Sequence, residues 1–397
     1  MDVRGIVLKK IIYFDNAATT QMDERVLEAM LPFLNEAYGN ANARYSIGYE
    51  AGKAVSDARK KVAFSIGAEP DEIYFTSGGT ECNNTVLNGI SEYYSHDVPG
   101  SCQSRYKPMI ISTEIEHDSV LKRLKKETEK GTGVLLLKPD TEGRVNRKEL
   151  EKALHDCNKS GLVSVMLVNN EIGTIQPIRE LADIAHENGF QFHTDAVQAA
   201  GHMKIDVKNL GVDALSVSGH KLYGPKGVGF LYLKRGTKLT PLIMGGGQEK
   251  GVRSGTLNVP GIVGLGKACE LASSECEANS YKEKKIADYL RSRLLNNIPD
   301  SRVNGDGKWI LNFSFDGING TSLALRLDME GICVSTGSAC SAGLDERSHV
   351  LTAIGLDERQ ADSSIRISIG KYNTLDDARL LADSVERLTA ELRSLTV

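Results

Sequence analysis

A series of short apolar runs, each closing on polar or glycine residues, sets the tightest limit on how this chain can fold. Ile73-Tyr74-Phe75-Thr76 leads into Ser77-Gly78-Gly79-Thr80-Glu81, and Met109 to Ser112 into Glu114, Glu116 and His117. Val163 to Val168 leads into Asn169-Asn170-Glu171-Ile172-Gly173, and Phe190 to Thr194 into Asp195. Ala214 to Val217 closes on Ser218-Gly219-His220-Lys221, and Val134 to Leu137 and Gly229 to Tyr232 are further runs of this type. Unbroken apolar runs of this length read as strands covered on both faces. A shorter one, Ile11 to Phe14, precedes the turn Asp15-Asn16-Ala17-Ala18-Thr19-Thr20. Helical periodicity separates the runs, over about residues 23–38, 52–66 and 178–187. The expected fold class is α/β, a mostly parallel central sheet covered by helices. In such sheets ligands sit outside the carboxyl ends of the strands, which is where these polar clusters fall.

Beyond Tyr232 the texture changes. A polar loop runs from Gly245 to Thr256, followed by a long helical region from about Val259 to Leu295. Strands at Trp309 to Phe315 and Ser364 to Ile369 precede an amphipathic helix after Thr374. A chain of 397 residues accommodates two domains. The expected division is a large domain over 17–262 and a smaller α+β domain built from 1–16 and 263–397.

Charge and cysteine usage exclude several classes of function. The formal net charge is −4, with no basic face suited to nucleic acid or an anionic membrane. The densest basic run, Lys122 to Lys126, is followed by Glu127 and Glu129 and reads as a solvated helix face. No apolar segment reaches the roughly 18 residues of a membrane span, and Met1 to Lys10 lacks the features of a secretory signal. The expectation is a cytoplasmic protein. Seven cysteines without a Cys-x-x-Cys pair argue against a disulfide framework or a metal held by this chain. Cys269 and Cys276, seven apart in a helical pattern, are both expected to face the core. The stretch from His96 to Lys107 reads as a polar surface loop.

The polar strand ends together supply what one cofactor needs. Pyridoxal 5′-phosphate requires an amine for its aldehyde, an anion nest for its phosphate and a carboxylate for its pyridine nitrogen. It also requires donors to its 3′-oxygen and a planar neighbour for its ring. Strand, glycine turn and helix at Ile73–Leu87 form the anion nest, being neither a Walker sequence nor a full dinucleotide fingerprint. Lys221, placed beside another cationic group and partly out of water, becomes a candidate Schiff-base amine.

At this point the sequence resembles the class V aminotransferases among fold-type I pyridoxal-phosphate enzymes, and within them the cysteine desulfurases of the NifS/IscS type. The matching motifs are Tyr13 to Thr20, Thr76 to Glu81, Asn169 to Gly173, Asp195 to Gln198, Ser218 to Lys221 and Arg253 to Thr256. Gly337-Ser338-Ala339-Cys340-Ser341 and Ile365 to Gly370 complete the set, in family order over nearly the whole chain. The resemblance implies that Lys221 holds the cofactor and moves the Cα proton, and that Asp195 pairs with the pyridine nitrogen. Gln198, with Asn170, bonds the 3′-oxygen, and His117 stacks on the ring and assists proton transfer. Gly79, Thr80, Ser218 and His220 hold the phosphate. Thr256 reaches the phosphate of a second subunit, which implies a homodimer. Arg366, with Asn170, binds the substrate carboxylate.

Cys340 sets the expected chemistry. It lies among small, flexible residues, Thr336 to Gly343, as in relatives whose catalytic cysteine rides a long mobile loop, here about residues 334–347. The resemblance implies attack by its thiolate on the sulfur of L-cysteine, leaving L-alanine and a persulfide on Cys340. The persulfide sulfur then passes to an acceptor protein, an iron–sulfur scaffold or a tRNA-thiolation enzyme. Selenocysteine lyase or transaminase chemistry is the alternative on the same scaffold, and a non-catalytic sulfur carrier the alternative of a different class. Several positions depart from the family pattern: Gly39 to Tyr45, Gly79 for a usual alanine, Arg347 for a proline and Lys371 for an arginine. Cys333 is expected to be a core residue rather than a second sulfur relay, because Ile332 and Val334 flank it.

Overall fold

The computed structural model describes residues 11–95, 108–155, 157, 160–336 and 347–395. The expected loop at 96–107 and Cys340 itself lie outside the described residues.

β1 (Ile12–Tyr13) opens the described chain. The main sheet is built from β2 (Ile73–Thr76), β3 (Met109–Thr113), β4 (Gly133–Leu137), β5 (Gly161–Ser164), β6 (Gln191–Asp195), β7 (Ala214–Ser218) and β8 (Gly229–Leu233). Its order is β2-β8-β7-β6-β5-β3-β4. The run from β7 to β4 is parallel throughout, and β8 alone runs antiparallel, to both β7 and β2. The reason for the unbroken apolar runs is visible in the burial. Every residue of β5, β7 and β8 is buried, because helices cover both faces. β4 is the edge strand, and there Leu135 and Leu136 are exposed. The expected strand Val163–Val168 is regular only to Ser164, but Val165 and Leu167 still bond β6 and the residue that ends it.

The carboxyl-terminal part adds β9 (Ser301–Asn304), β10 (Ile310–Phe315), β11 (Ile332–Cys333) and β12 (Ser364–Ser368). An antiparallel sheet β12-β10-β9 forms there, and β11 pairs in parallel with β1 from the other end of the chain. Phe14 accordingly packs in an apolar cluster with Ile286, Phe313, Ile367 and Leu381. The helix Val259–Asn297 joins this cluster to the core of the main sheet. Its buried residues run to Leu271 and resume only at Glu283.

That interval explains one correction. Cys269 is buried as expected, whereas Cys276 is only half-buried, because the helix has left one core and has not yet met the other. Cys333 is a second correction: it is half-buried, not a core residue. In a strand, successive side chains point to opposite faces, so the buried Ile332 turns Cys333 away from the core. The helix expected from 52 begins at Ser46, and that expected over 23–38 spans Glu24–Asn35. Lys122 and Lys126 sit on a solvated face, but Arg123 is half-buried against the fully buried Glu127. No helix among the described residues is long and apolar enough to cross a membrane.

Candidate active site

The polar strand ends are linked to one another through hydrogen bonds and through the Asp15–Thr20 turn. Asp195 closes β6 and is buried; its Oδ1 accepts from the Val197 amide at 2.9 Å and its Oδ2 from Asn83 Nδ2 at 2.7 Å. Asn83 lies on the helix Gly79–Ser95, and its Nδ2 also donates to Ser119 Oγ at 2.9 Å. Ser119 Oγ stands 2.8 Å from His117 Nδ1, which caps the helix Asp118–Glu129 and accepts the Ser119 amide at 3.1 Å. With Nδ1 engaged as an acceptor, the neutral His117 ring carries its proton on Nε2. One chain of hydrogen bonds thus joins Asp195 to His117.

Lys221 ends a single 3₁₀ turn after β7. Its ammonium contacts the Ala17 carbonyl and donates to the Ala18 carbonyl at 2.7 Å. Gln198 Nε2 donates to the same Ala17 carbonyl at 2.9 Å, so lysine and glutamine share one acceptor. The Asp15–Thr20 turn organises much of the cleft in this way. Thr19 Oγ1 lies 3.1 Å from His220 Nδ1, and Thr20 bonds the His220 carbonyl through both its amide and its hydroxyl. Asn16 and Ala17 tie the turn to Ser368 of β12.

A cavity of about 390 Å³ opens between this turn and the helix that starts at Gly79. Ser77, Gly78, Gly79, Thr80, Ser218 and His220 line it, with Lys226 and Gly227 at one side. The helix N-terminus directs main-chain N–H groups and a partial positive charge into it. Gly78 takes φ +148°, which L side chains rarely adopt, and a Cβ on Gly79 would sit 2.6 Å from Val197 Cγ2. Burial, with Lys221 and Lys226 close by, pushes the His220 imidazole down to about 4, so its ring is neutral at neutral pH.

Arg366 reaches the cleft from the middle of β12 and is almost fully buried, at 2% exposure. Nη2 pairs with Asp15 Oδ1 at 2.8 Å and Nη1 donates to the Asn170 carbonyl at 2.9 Å. Its Nε and the Asn170 side-chain oxygen are buried with no partner among the described residues. The chain flanking 337–346 is tied to the same region. Ser335 and Arg366 exchange two backbone bonds, and the Ser348 hydroxyl donates to the buried Glu171 at 2.5 Å. Of the expected site residues, Gly79, Thr80, Ser218 and His220 line the cavity. Lys221, Asp195, His117, Gln198, Asn170 and Arg366 do not line it and are joined to its walls through the hydrogen bonds above, and Thr256 is exposed and apart from it.

The aminotransferase class-V family matches residues 12–381. The chain belongs to that family. It is similar to the cysteine desulfurase IscS of Dictyoglomus turgidum, with 44% identity covering 98% of this chain and 97% of that protein. It is also similar to the cysteine desulfurase IscS of Methanosarcina thermophila, with 45% identity covering 98% and 94%. Among solved structures, a NifS-like protein superposes with a TM-score of 0.88 at 39% identity, covering 96% of this chain and 100% of that one.

Class-V enzymes depend on pyridoxal phosphate, and the cleft fits it. The amine of Lys221 and the guanidinium of Arg366 are tied to the Asp15–Thr20 turn that flanks the anion cradle. The buried carboxylate of Asp195 and the imidazole of His117 are linked to the helix that opens that cradle. Arg366 Nε and Asn170 Oδ1 have no partner among the described residues, and a bound group can supply one. Reading the sequence missed Asn83, Ser119, Asp15 and Lys226 as members of this site. Lys226 was within sight, in the glycine turn after Lys221. Ser119 was also within sight, two residues after His117, whereas Asn83 and Asp15 had no local signal, since their partners lie far along the chain.

Proposed function

We propose that this protein is a pyridoxal-phosphate-dependent cysteine desulfurase that converts L-cysteine to L-alanine and leaves a persulfide on Cys340. The observation that carries the proposal is Arg366: a buried guanidinium, paired with the turn that also holds Lys221, whose Nε has no partner among the described residues, in a chain resembling cysteine desulfurases along its whole length. A planar fork suits an amino-acid carboxylate. Asn170 stands next to it, its main-chain carbonyl accepting from Nη1.

Bound in this cleft, pyridoxal phosphate supplies an electron sink for the substrate's Cα. Lys221 anchors it and takes the Cα proton, and Asp195 holds the pyridine nitrogen. His117 covers the ring and donates from Nε2. Gln198 and Asn170 meet the 3′-oxygen. Gly79, Thr80, Ser218 and the neutral His220 receive the phosphate, with Lys226 adding positive charge. The Cys340 thiolate attacks the substrate sulfur: an S–S bond forms, the C–S bond breaks, and the carbon keeps the electron pair and is protonated to the methyl group of alanine. The persulfide sulfur passes to an acceptor protein. Exposed Thr256 fits a contact with a second subunit's phosphate, which makes the working unit a homodimer.

A single-turnover reaction with L-cysteine tests this. Wild type is expected to form alanine and a persulfide on Cys340 together, while Cys340→Ala binds substrate and forms neither. Turnover by the variant would show that Cys340 is not the nucleophile and that the chain runs another pyridoxal-phosphate reaction.

A further inference from the structure

Asn83 occupies an unusual position for a residue that touches neither substrate nor lysine. It is 1% exposed, on the helix whose N-terminus forms the anion cradle, one turn beyond Gly79. Its single amide nitrogen serves two acceptors: Asp195 Oδ2 at 2.7 Å and Ser119 Oγ at 2.9 Å. The amide orientation is fixed chemically, because the flipped form would set a carbonyl oxygen 2.7 Å from a carboxylate oxygen. The Asn83 oxygen is buried with no partner among the described residues. A buried acceptor left unbonded costs free energy, so the arrangement is held by what the two hydrogens do.

Each hydrogen has a distinct consequence. One completes the pair of bonds that orients the Asp195 carboxylate, whose other oxygen is held by the Val197 amide. The second occupies a lone pair of Ser119 Oγ, which leaves the Ser119 hydroxyl hydrogen to point at His117 Nδ1, 2.8 Å away. We infer that Asn83 is a positioning residue that orients Asp195 and His117 together, so the groups meeting the cofactor's nitrogen and its ring face are set by one amide. The inference rests on the proposed roles of Asp195 and His117 above.

The experiment uses the holoenzyme, reading pyridoxal-phosphate affinity and the visible circular dichroism of the bound cofactor alongside kcat and KM. Asn83→Leu, similar in size and without a donor, is expected to weaken cofactor affinity about tenfold, the worth of a hydrogen bond to a charged group. It should also alter the dichroic band and lower kcat more than it raises KM. Ser119→Ala cuts only the histidine branch, so kcat should fall while cofactor affinity stays within about twofold. Should the leucine variant fail to fold, Asn83→Asp keeps the shape but supplies at most one hydrogen, and its affinity should fall below wild type. A folded Asn83→Leu or Asn83→Asp protein with wild-type affinity and dichroism overturns the inference, as does equal loss of affinity in Ser119→Ala. If wild type itself binds no pyridoxal phosphate, the functional reading fails first, and the two failures are told apart.

Discussion

The two sheets supply the cleft in different ways. The main sheet delivers polar groups at strand ends: Asp195 closes β6, Ser218 closes β7, and His117 follows β3. The smaller sheet delivers Arg366 from the middle of β12, every residue of which is buried. At a strand end the chain is already leaving the ladder, and turns and helix N-termini provide donors for whatever is placed there. A guanidinium in mid-strand has no such surroundings and must be neutralised where it stands. Here that duty falls on Asp15 and on the Asn170 carbonyl. Binding groups on the main-sheet side are therefore separable from folding, whereas the arginine side couples the two.

The largest expected effect follows from that coupling. Asp15→Asn leaves the buried Arg366 charged and short of its counter-ion, which, with Asp15 itself only half-buried, costs about 3 kcal/mol of stability, the low end for breaking a buried pair. Gln198→Ala, on the strand-end side, loses one neutral hydrogen bond and should cost about 1 kcal/mol. Because a substrate carboxylate can replace the missing charge, L-cysteine should raise the melting temperature of Asp15→Asn more than that of wild type. Denaturant titration and thermal shifts measure both. Equal losses for the two variants would erase the contrast between the sheets.

Glu116 sharpens the comparison from the main-sheet side. It is a fully buried carboxyl beside His117, accepting from Thr113 Oγ1 at 2.7 Å and from the Met166 amide at 3.0 Å through one oxygen, with the other unpartnered among the described residues. Burial raises it to about 8, so at neutral pH it is protonated and uncharged. The unfolded chain releases this proton near 4.5 and the folded protein only near 8, so the folded state loses stability as pH rises between those values. Glu116→Gln, which keeps both accepted bonds and cannot ionise, should gain on wild type progressively across that window and by nothing further outside it. A stability difference that stays flat from pH 5 to pH 8 would mean that Glu116 is ionised in the folded protein. The strand-end side would then carry a buried carboxylate in addition to that of Asp195.

The same contrast governs what could be read from the sequence. Apolar runs closing on polar clusters exposed the sheet, its carboxyl edge, and Asp195, Ser218 and Lys221 with it, because strand and site residues are adjacent in the chain. Arg366 stands in Ser-Ile-Arg-Ile-Ser, whose alternation puts the arginine with serines on what looks like a solvent face. Ile365 and Ile367 do enter the core, but the other face looks into the cleft rather than into water. Only likeness to a family gave that arginine a role. The Asp15–Thr20 turn was legible as a turn and not as a junction, since its bonds to Lys221 and Ser368 span more than 200 residues. Cys333 was misjudged by counting apolar neighbours, where the strand's twofold alternation argues the opposite.

The smallest effect tests whether the strand-end side is limited by packing where it is not limited by charge. Gly79 stands at the first position of its helix, where alanine is the better helix former by up to about 1 kcal/mol. Its Cβ, however, would lie 2.6 Å from Val197 Cγ2, and a β-branched side chain has little freedom to turn aside. Displacing Val197 also disturbs the amide that it donates to Asp195. Gly79→Ala should therefore lower stability by about 1 kcal/mol in wild type. The same substitution in a Val197→Ala background should be neutral or gain up to about 0.5 kcal/mol, the crowding having gone while the helical preference remains. The coupling between the two positions, read from a double-mutant cycle in urea, is then about 1 kcal/mol or more. A Gly79→Ala protein more stable than wild type would show that the cradle has room to spare, and that its glycine serves the close approach of a bound phosphate rather than the packing of Val197.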